Sequence, residues 1–588
     1  MNQGPETGSR FAFSCAAAAF GVPVVVAASR LAVAGAGIDD LQLVRGLGMV
    51  PAGGQGVVSS LLIRLSSLLP IGGQPLRAGF AGALVLGAVG FLCYCLAEAL
   101  LGLSRSAPRL NALIAVSAAL TATLTPGAQL HASTLDPITV ASALALVILF
   151  RRAERIEDAR TWLGMGALLA LTGVENWGVG LAVLFATALQ SLVRGRLPSR
   201  KALALVGVGL GVVMSTLLVI AQARSRAAGP WLAIGSAVEP MHSALVSPSG
   251  ALGTWLHDTG PLALLMAAAG ALWGSWQRPL RVIAAPLLLF VAFDALLHGV
   301  ASPISADSCR LLALCGLAVL SALGVQCVLS LVRRLRLPFA EPVSVLLVAF
   351  HLTLACSAME NSQQTPTNAA ASEAWTDETL GRLPPMSLLL VQDPDTAWRA
   401  WAARMVKGER PDVVVVPMSL IGDKALAGKL LAAEPNLAPL IRDISVSGRP
   451  SEYSLSLLAD ARPLFVDLDP HWDHRLLQHL APAALWLRFS AHPQGRSDRA
   501  RALIEARGAT SRVLRALSAG ASDSEPTIRQ ALTTRIREQA VLLASLGDKE
   551  NAQLSLSDLD RIAPADAVGA QLKNQLNANK VNVVGLLN

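Results

Sequence analysis

The sequence predicts a polytopic α-helical membrane protein that carries a soluble α/β domain ending in a helical segment. Three observations predict it. About eleven apolar stretches fill the first three-fifths of the 588 residues and stop near Met359. Hydrophobic residues make up 53% of the chain and charged residues 15%, against about 25% charged in a soluble domain. Arginines gather in every second loop between the apolar stretches. A hydrocarbon core about 30 Å thick needs about 20 apolar residues as helix. Lipid offers backbone groups no water partner, so such spans are helical.

The expected spans lie at about 11–36, 78–103, 109–125, 135–151, 161–175, 177–193, 202–222, 260–276, 280–298, 310–332 and 340–358. Arg105 and Arg109 follow the second, Arg151 and Arg152 the fourth, Arg194 and Arg196 the sixth, Arg278 and Arg281 the eighth, and Arg333 and Arg334 the tenth. The positive-inside rule then puts the N-terminus in the cytoplasm and, with an odd number of spans, the C-terminal domain outside. In a bacterium this is a multi-pass protein of the inner (plasma) membrane with a periplasmic domain. The first apolar run reads as a retained span rather than a cleaved signal. The net charge of +8 comes from these loop arginines. No basic patch interleaves with aromatics, so nucleic acid is not an expected partner. The seven cysteines all lie before residue 357, in or beside apolar spans, with no disulfide framework and no metal-ligand spacing.

The first external loop, about 38–77, is far longer than most connections. It opens with Asp39 and Asp40, passes Pro51-Ala52-Gly53-Gly54-Gln55-Gly56, and then holds an amphipathic run, Val57 to Leu69. That run is too short and polar to span and reads as a helix lying in the interface. A carboxylate at this height can deprotonate an acceptor hydroxyl that attacks a sugar carried on a lipid phosphate. Asp39 or Asp40 is the candidate base, and Arg30, Arg45, Arg64 or Arg77 a candidate for the phosphate. Acids at span ends also serve simply as helix caps. His131 and Asp136, Glu175 and Asn176, His242, His257 and Asp258, and Asp294 and His298 stand at other outer span ends. Together they predict a polar outer cavity.

Two segments resemble the transmembrane protein O-mannosyltransferase-like family, within the GT-C type of membrane glycosyltransferases. The first runs Asp39-Asp40-Leu41-Gln42-Leu43, Leu47-Gly48-Met49-Val50-Pro51, Ser60-Leu61-Leu62 and Leu68-Leu69-Pro70-Ile71-Gly72. The second runs Leu383-Pro384-Pro385, Leu388-Leu389-Leu390-Val391-Gln392-Asp393 and Gly408-Glu409-Arg410-Pro411-Asp412-Val413. The family's Glu in the opening motif falls on Gln42, its His-Pro-Pro-Gly on Pro51-Ala52-Gly53-Gly54, and its Glu-Val-Tyr on Asp136-Pro137-Ile138. The resemblance implies a GT-C-like membrane domain and transfer of a sugar from a polyprenyl-phosphate donor, without a further cofactor or metal. The acceptor would be a protein or glycan at the outer face. It implies Asp39 or Asp40 as the catalytic base, and Gln42, Arg64, His131, Asp136, Glu175 and Asn176 are the expected substrate contacts. A catalytically diverged envelope scaffold or binding protein of the same fold, or a transporter, are the alternatives.

The membrane domain is expected over 1–359, a linker over 360–384, the α/β domain over 385–496 and a helical region over 497–588. A strand at Ser387 to Val391, a helix at Thr396 to Val406 anchored by Trp398, Trp401 and Met405, and a strand at Asp412 to Pro417 make a β-α-β unit. Another strand is expected at Pro463 to Asp467. Asp467 to His474 is rich in metal-type residues but reads as a polar loop with Asp473 as a helix cap. Thr527 to Asp560 reads as a helical hairpin bending at Leu542 to Asp548.

Overall fold

The computed structural model describes residues 5–29, 56–103, 108–133, 135–153, 158–195, 198–228, 248–297, 309–334, 370–406, 408–422, 424–469, 472–519, 526–564 and 566–578, with a few single positions between them. The chain is mostly helical and divides into two compact units.

The first unit contains, among the described residues, the helices Pro5–Ala28, Val57–Ser66, Gln74–Gly102, Pro108–Thr123, Pro126–Ser133, Pro137–Ala153, Ala159–Glu175, Trp177–Val193, Arg200–Ala228, Pro248–Trp276, Arg278–Leu297 and Arg310–Arg334. Among the described residues, five stretches are long and apolar enough to cross a membrane: Arg10–Ala28, Gln74–Gly102, Arg200–Leu217, Arg278–Leu297 and Arg310–Val332. Eleven spans are therefore not shown. The remaining expected spans differ for physical reasons. Four helices reach only 16 or 17 residues, at the lower limit of about 17 for a crossing. The helix Pro248–Trp276 is interrupted at Gly260 (φ +79°), just before Pro261, which cannot supply a backbone donor. The first helix ends at Ala28, short of the expected 36. The eleventh span, 340–358, lies outside the described residues.

Glycines let these helices touch backbone to backbone. A methyl group at Gly270 would stand 1.9 Å from the Leu320 carbonyl oxygen, and one at Gly324 2.0 Å from that of Met266. The helices Pro248–Trp276 and Arg310–Arg334 thus pack without side chains between them, as helices in apolar surroundings do.

The second unit, from Ala370 onward among the described residues, is built on a five-stranded sheet. We label its strands β1 (Leu388–Val391), β2 (Val414–Pro417), β3 (Leu464–Val466), β4 (Leu480–Ala483) and β5 (Trp486–Phe489). Their order is β2-β1-β3-β5-β4. β1 runs parallel to β2 and β3, whereas β5 is antiparallel to both β3 and β4. The all-buried Leu388–Val391 sits centrally, as an unbroken apolar strand should. The expected β-α-β unit is present, with the helix Pro394–Val406 between β1 and β2. Trp398 and Trp401 pack edge to face at 5.5 Å, and the Trp401 indole N–H donates to the Val415 carbonyl at 3.1 Å. The hairpin Pro526–Ser545 and Lys549–Ile562 turns at Gly547 (φ +75°), and a further helix, Ala567–Asn577, follows.

The two halves of the second quoted motif meet at the start of the parallel strands. Gly408 (φ +71°) and Arg410 (φ +48°) turn the chain left-handed ahead of β2. Arg410 donates to the carbonyls of Leu380, Gly381, Leu383 and Pro384 and pairs with Asp412 at 2.9 Å. Asp412 in turn accepts the Met386 N–H at 2.8 Å. The Arg410 hydrogen bonds hold the Asp412 carboxyl well below the usual carboxylate range.

Candidate functional site

The short helix Pro126–Ser133 ends on a strained turn. Leu135 is fully buried with φ +53°, a conformation that costs a β-carbon-bearing residue about 1 kcal/mol or more. The turn swings Asp136 back toward the helix it has just left. Its N–H reaches the His131 carbonyl at 3.1 Å, and its carboxylate meets His131 Nδ1 at 2.7 Å. The other carboxylate oxygen accepts the Ile138 N–H at 2.8 Å and caps the next helix, Pro137–Ala153. Gly82 makes room for the turn. A methyl group there would stand 1.9 Å from the Ala132 carbonyl oxygen.

Glu175, at the end of the helix Ala159–Glu175, is fully buried. Its carboxylate accepts the backbone N–H groups of Val58 at 2.6 Å and Ser59 at 2.9 Å, and its carbonyl accepts that of Gly56 at 3.0 Å. These are the orphan donors at the start of the helix Val57–Ser66, whose own N-cap, Gly56, has no side chain to offer. Glu175 is thus a cap supplied from 116 residues away, and its charge suits the positive end of the helix. The helix Val57–Ser66 packs on both Ala159–Glu175, which ends in Glu175, and Pro137–Ala153, which Asp136 caps. Asn176 caps the following helix through the Val179 N–H at 3.1 Å.

The pinned helix is amphipathic with an unusual orientation. It buries Ser59, Ile63 and Ser66. It exposes Leu61 and Leu65, and Leu68 just beyond it. A helix that turns leucines outward suits an apolar surrounding. Arg64 is half-buried in its last turn. Gln74 donates to the Ile63 carbonyl at 2.9 Å and Arg77 to those of Ile71 and Ser67, which fixes the exit from the helix.

A further buried acid, Asp258, adjoins the helix Pro126–Ser133. Arg310 donates to the buried Asp258 at 2.6 and 3.1 Å. A methyl group on Gly127 would lie 3.6 Å from that carboxylate and 3.7 Å from the guanidinium. The Trp255 indole N–H donates to the buried Asp294 at 2.7 Å. His257 is mostly exposed.

The structure therefore brings His131, Asp136 and Glu175 together with the helix that carries Arg64, and it fixes Asn176 as a cap beside them. Asp39, Asp40 and Gln42, together with Arg30, Arg45, His242 and His298, lie outside the described residues. Sequence reasoning did not anticipate Arg310, Trp255 or the anchoring use of Glu175. Among the described residues no group of three or more His, Cys, Asp or Glu could hold a metal ion.

In the second unit, the ends of β1 and β3 form the point where the chain's strand order reverses. Ligands of open parallel sheets bind at such points. Here the place is filled from within. Asp467, at the end of β3, accepts the Gln392 N–H at 2.7 Å and pairs with the buried Arg535. Arg535 also donates to Glu538 at 3.1 Å and lies 4.4 Å from the centre of the Trp486 ring. Burial pushes Glu538 up to about 8 and Asp467 above the usual carboxylate range, with the Arg535 charge opposing both. Asp473 caps the helix His474–Leu477, as expected. No family model and no curated protein matches the chain.

Proposed function

We propose that the chain is a membrane-embedded glycosyltransferase-like protein of the bacterial inner membrane. It takes a sugar from a polyprenyl-phosphate donor and passes it to a protein or glycan acceptor at the outer face. The observation that carries this reading is the helix Val57–Ser66. It turns Leu61 and Leu65 outward while Glu175 ties its first turn beside the His131–Asp136 pair. A lipid-linked donor lies at the membrane surface, and a helix of this kind meets it there.

In this reading the N-terminus is cytoplasmic and the C-terminal unit periplasmic. Asp39 or Asp40, opening the same loop, takes the proton of the acceptor hydroxyl. The hydroxyl oxygen bonds to the anomeric carbon, and the bond to the phosphate oxygen breaks with inversion. The polyprenyl phosphate leaves as an anion, which Arg64 attracts. Glu175 acts by holding the helix, since both its oxygens are spent on backbone donors. Asp136 orients the His131 imidazole from behind, an arrangement that suits contact with a sugar hydroxyl.

The test is a D39N/D40N double variant expressed in cells that lack the native copy. Mass spectrometry of envelope proteins should show the sugar lost. Glycosylation at the native level would remove the catalytic reading.

A further inference from the structure

Away from the acids, four helix ends concentrate positive charge. The helix Pro137–Ala153 ends in Arg151 and Arg152, and Ala159–Glu175 begins with Arg160 in its first turn. Trp177–Val193 is capped by Arg194, and Arg200–Ala228 opens six residues later with Arg200 and Lys201. Among the described residues these ends hold Arg151, Arg152, Arg160, Arg194, Arg200 and Lys201 against a single acid, Asp158.

The central two guanidinium groups are held in place. Arg152 donates to the Ser191 hydroxyl at 2.7 Å and lies 4.9 Å from the centre of the Trp162 ring. Arg194 donates to the Arg152 carbonyl at 2.5 Å. Helix packing brings the group together closely. A methyl group on Gly166 would stand 2.0 Å from the Val206 carbonyl oxygen, and one on Gly209 2.1 Å from that of Leu163. Arg151, Arg160, Arg200 and Lys201 are exposed around this fixed pair. Leu163, Leu192 and Leu203, each two or three residues from one of these cations, are exposed as well.

We propose that these four helix ends bind the headgroup of an anionic phospholipid. The fixed Arg152–Arg194 pair takes the phosphodiester, and the exposed leucines take the upper part of the acyl chains. Charge complementarity selects the anion. The apolar collar selects a lipid over a soluble phosphate, because a free ion gains nothing from it. Two guanidinium groups already ordered by protein contacts lose little freedom on binding.

The experiment uses the full chain in detergent and measures bound lipid by native mass spectrometry. The probes are dioleoyl phosphatidylglycerol, dioleoyl phosphatidylcholine and inorganic phosphate. The wild type should retain phosphatidylglycerol and release phosphatidylcholine, and millimolar phosphate should not displace the lipid. An R152Q/R194Q variant should lose at least about tenfold in occupancy, about 1.4 kcal/mol. An R200Q/K201Q variant changes only exposed side chains, so it keeps the test valid if the first fails to fold. It should lose about threefold or more. Equal retention of the two lipids, displacement by inorganic phosphate, or unchanged occupancy in R200Q/K201Q would overturn the proposal.

Discussion

Arg535 is a buried cation facing two buried carboxylates, with the Trp486 ring on another side. One positive charge cannot neutralise two negative ones in a site this deeply buried. The cluster resolves this by keeping a proton on Glu538, whose burial moves it from 4.5 to about 8. Asp467 has the Gln392 N–H as a second donor, so it is the better place for the negative charge. Between those two pH values the folded chain holds a proton that the unfolded chain has released. Stability from this group is therefore complete below about pH 4.5 and is lost as the pH rises toward 8. The thermal transition of the C-terminal unit in the solubilised chain should fall by several degrees between pH 5 and about pH 8, at about 2–4 °C per kcal/mol. A Glu538→Gln variant should flatten that slope, and a slope equal to the wild type's would contradict the assignment. The residue pattern hid this cluster. Arg535 and Glu538 stand three apart on a helix, which in sequence looks like an ordinary solvent-facing pair. Only the return of the hairpin onto the sheet puts them beside Asp467. Asp473 was legible, because a cap acts within its own few residues.

At the scale of elements, strands written as unbroken apolar runs were readable and the hairpin of β4 and β5 was not. β1 and β2 announce themselves as Leu388-Leu389-Leu390-Val391 and Val413-Val414-Val415-Val416. β4 contains Pro482, which argues against a strand in any interior place. It is tolerated because β4 is the outermost strand of the order β2-β1-β3-β5-β4. The two-residue link to β5 is Ala484-Leu485, with Ala484 at φ +52°. Such links normally advertise themselves with Asn or Gly, so the hairpin carries no signal in sequence. The interfacial helix shows the opposite balance. Its amphipathic run was legible, whereas its anchor, more than 100 residues away, was not. Replacing Glu175 with Ala removes a charged acceptor from two buried N–H groups, each bond being worth about 1.5–3 kcal/mol. Hydrogen exchange over Val57–Ser66 should accelerate by about tenfold or more, with little change in Gln74–Gly102. Unchanged protection of Val57–Ser66 would show that the cap is dispensable.

At the scale of the whole molecule, composition decided the membrane character, and helix length limited what followed. Apolar runs such as 109–125 and 161–175 fold as helices, yet at 16 or 17 residues they do not mark a crossing by themselves. The break at Gly260 and Pro261 likewise shortens an apolar stretch that looks continuous in hydropathy. The proposed chemistry depends on the C-terminal unit facing the same compartment as the acids that open the first loop. All seven native cysteines precede residue 357, so a single cysteine placed in that unit reports its side without interference from a neighbour there. Val446 is a suitable place, being 83% exposed. The decisive measurement is labelling of a V446C variant in intact cells with a membrane-impermeant maleimide, with R200C as the opposite-side control. V446C should react before lysis and R200C only after it. Reaction of V446C only after lysis would place the unit in the cytoplasm and contradict transfer at the outer face.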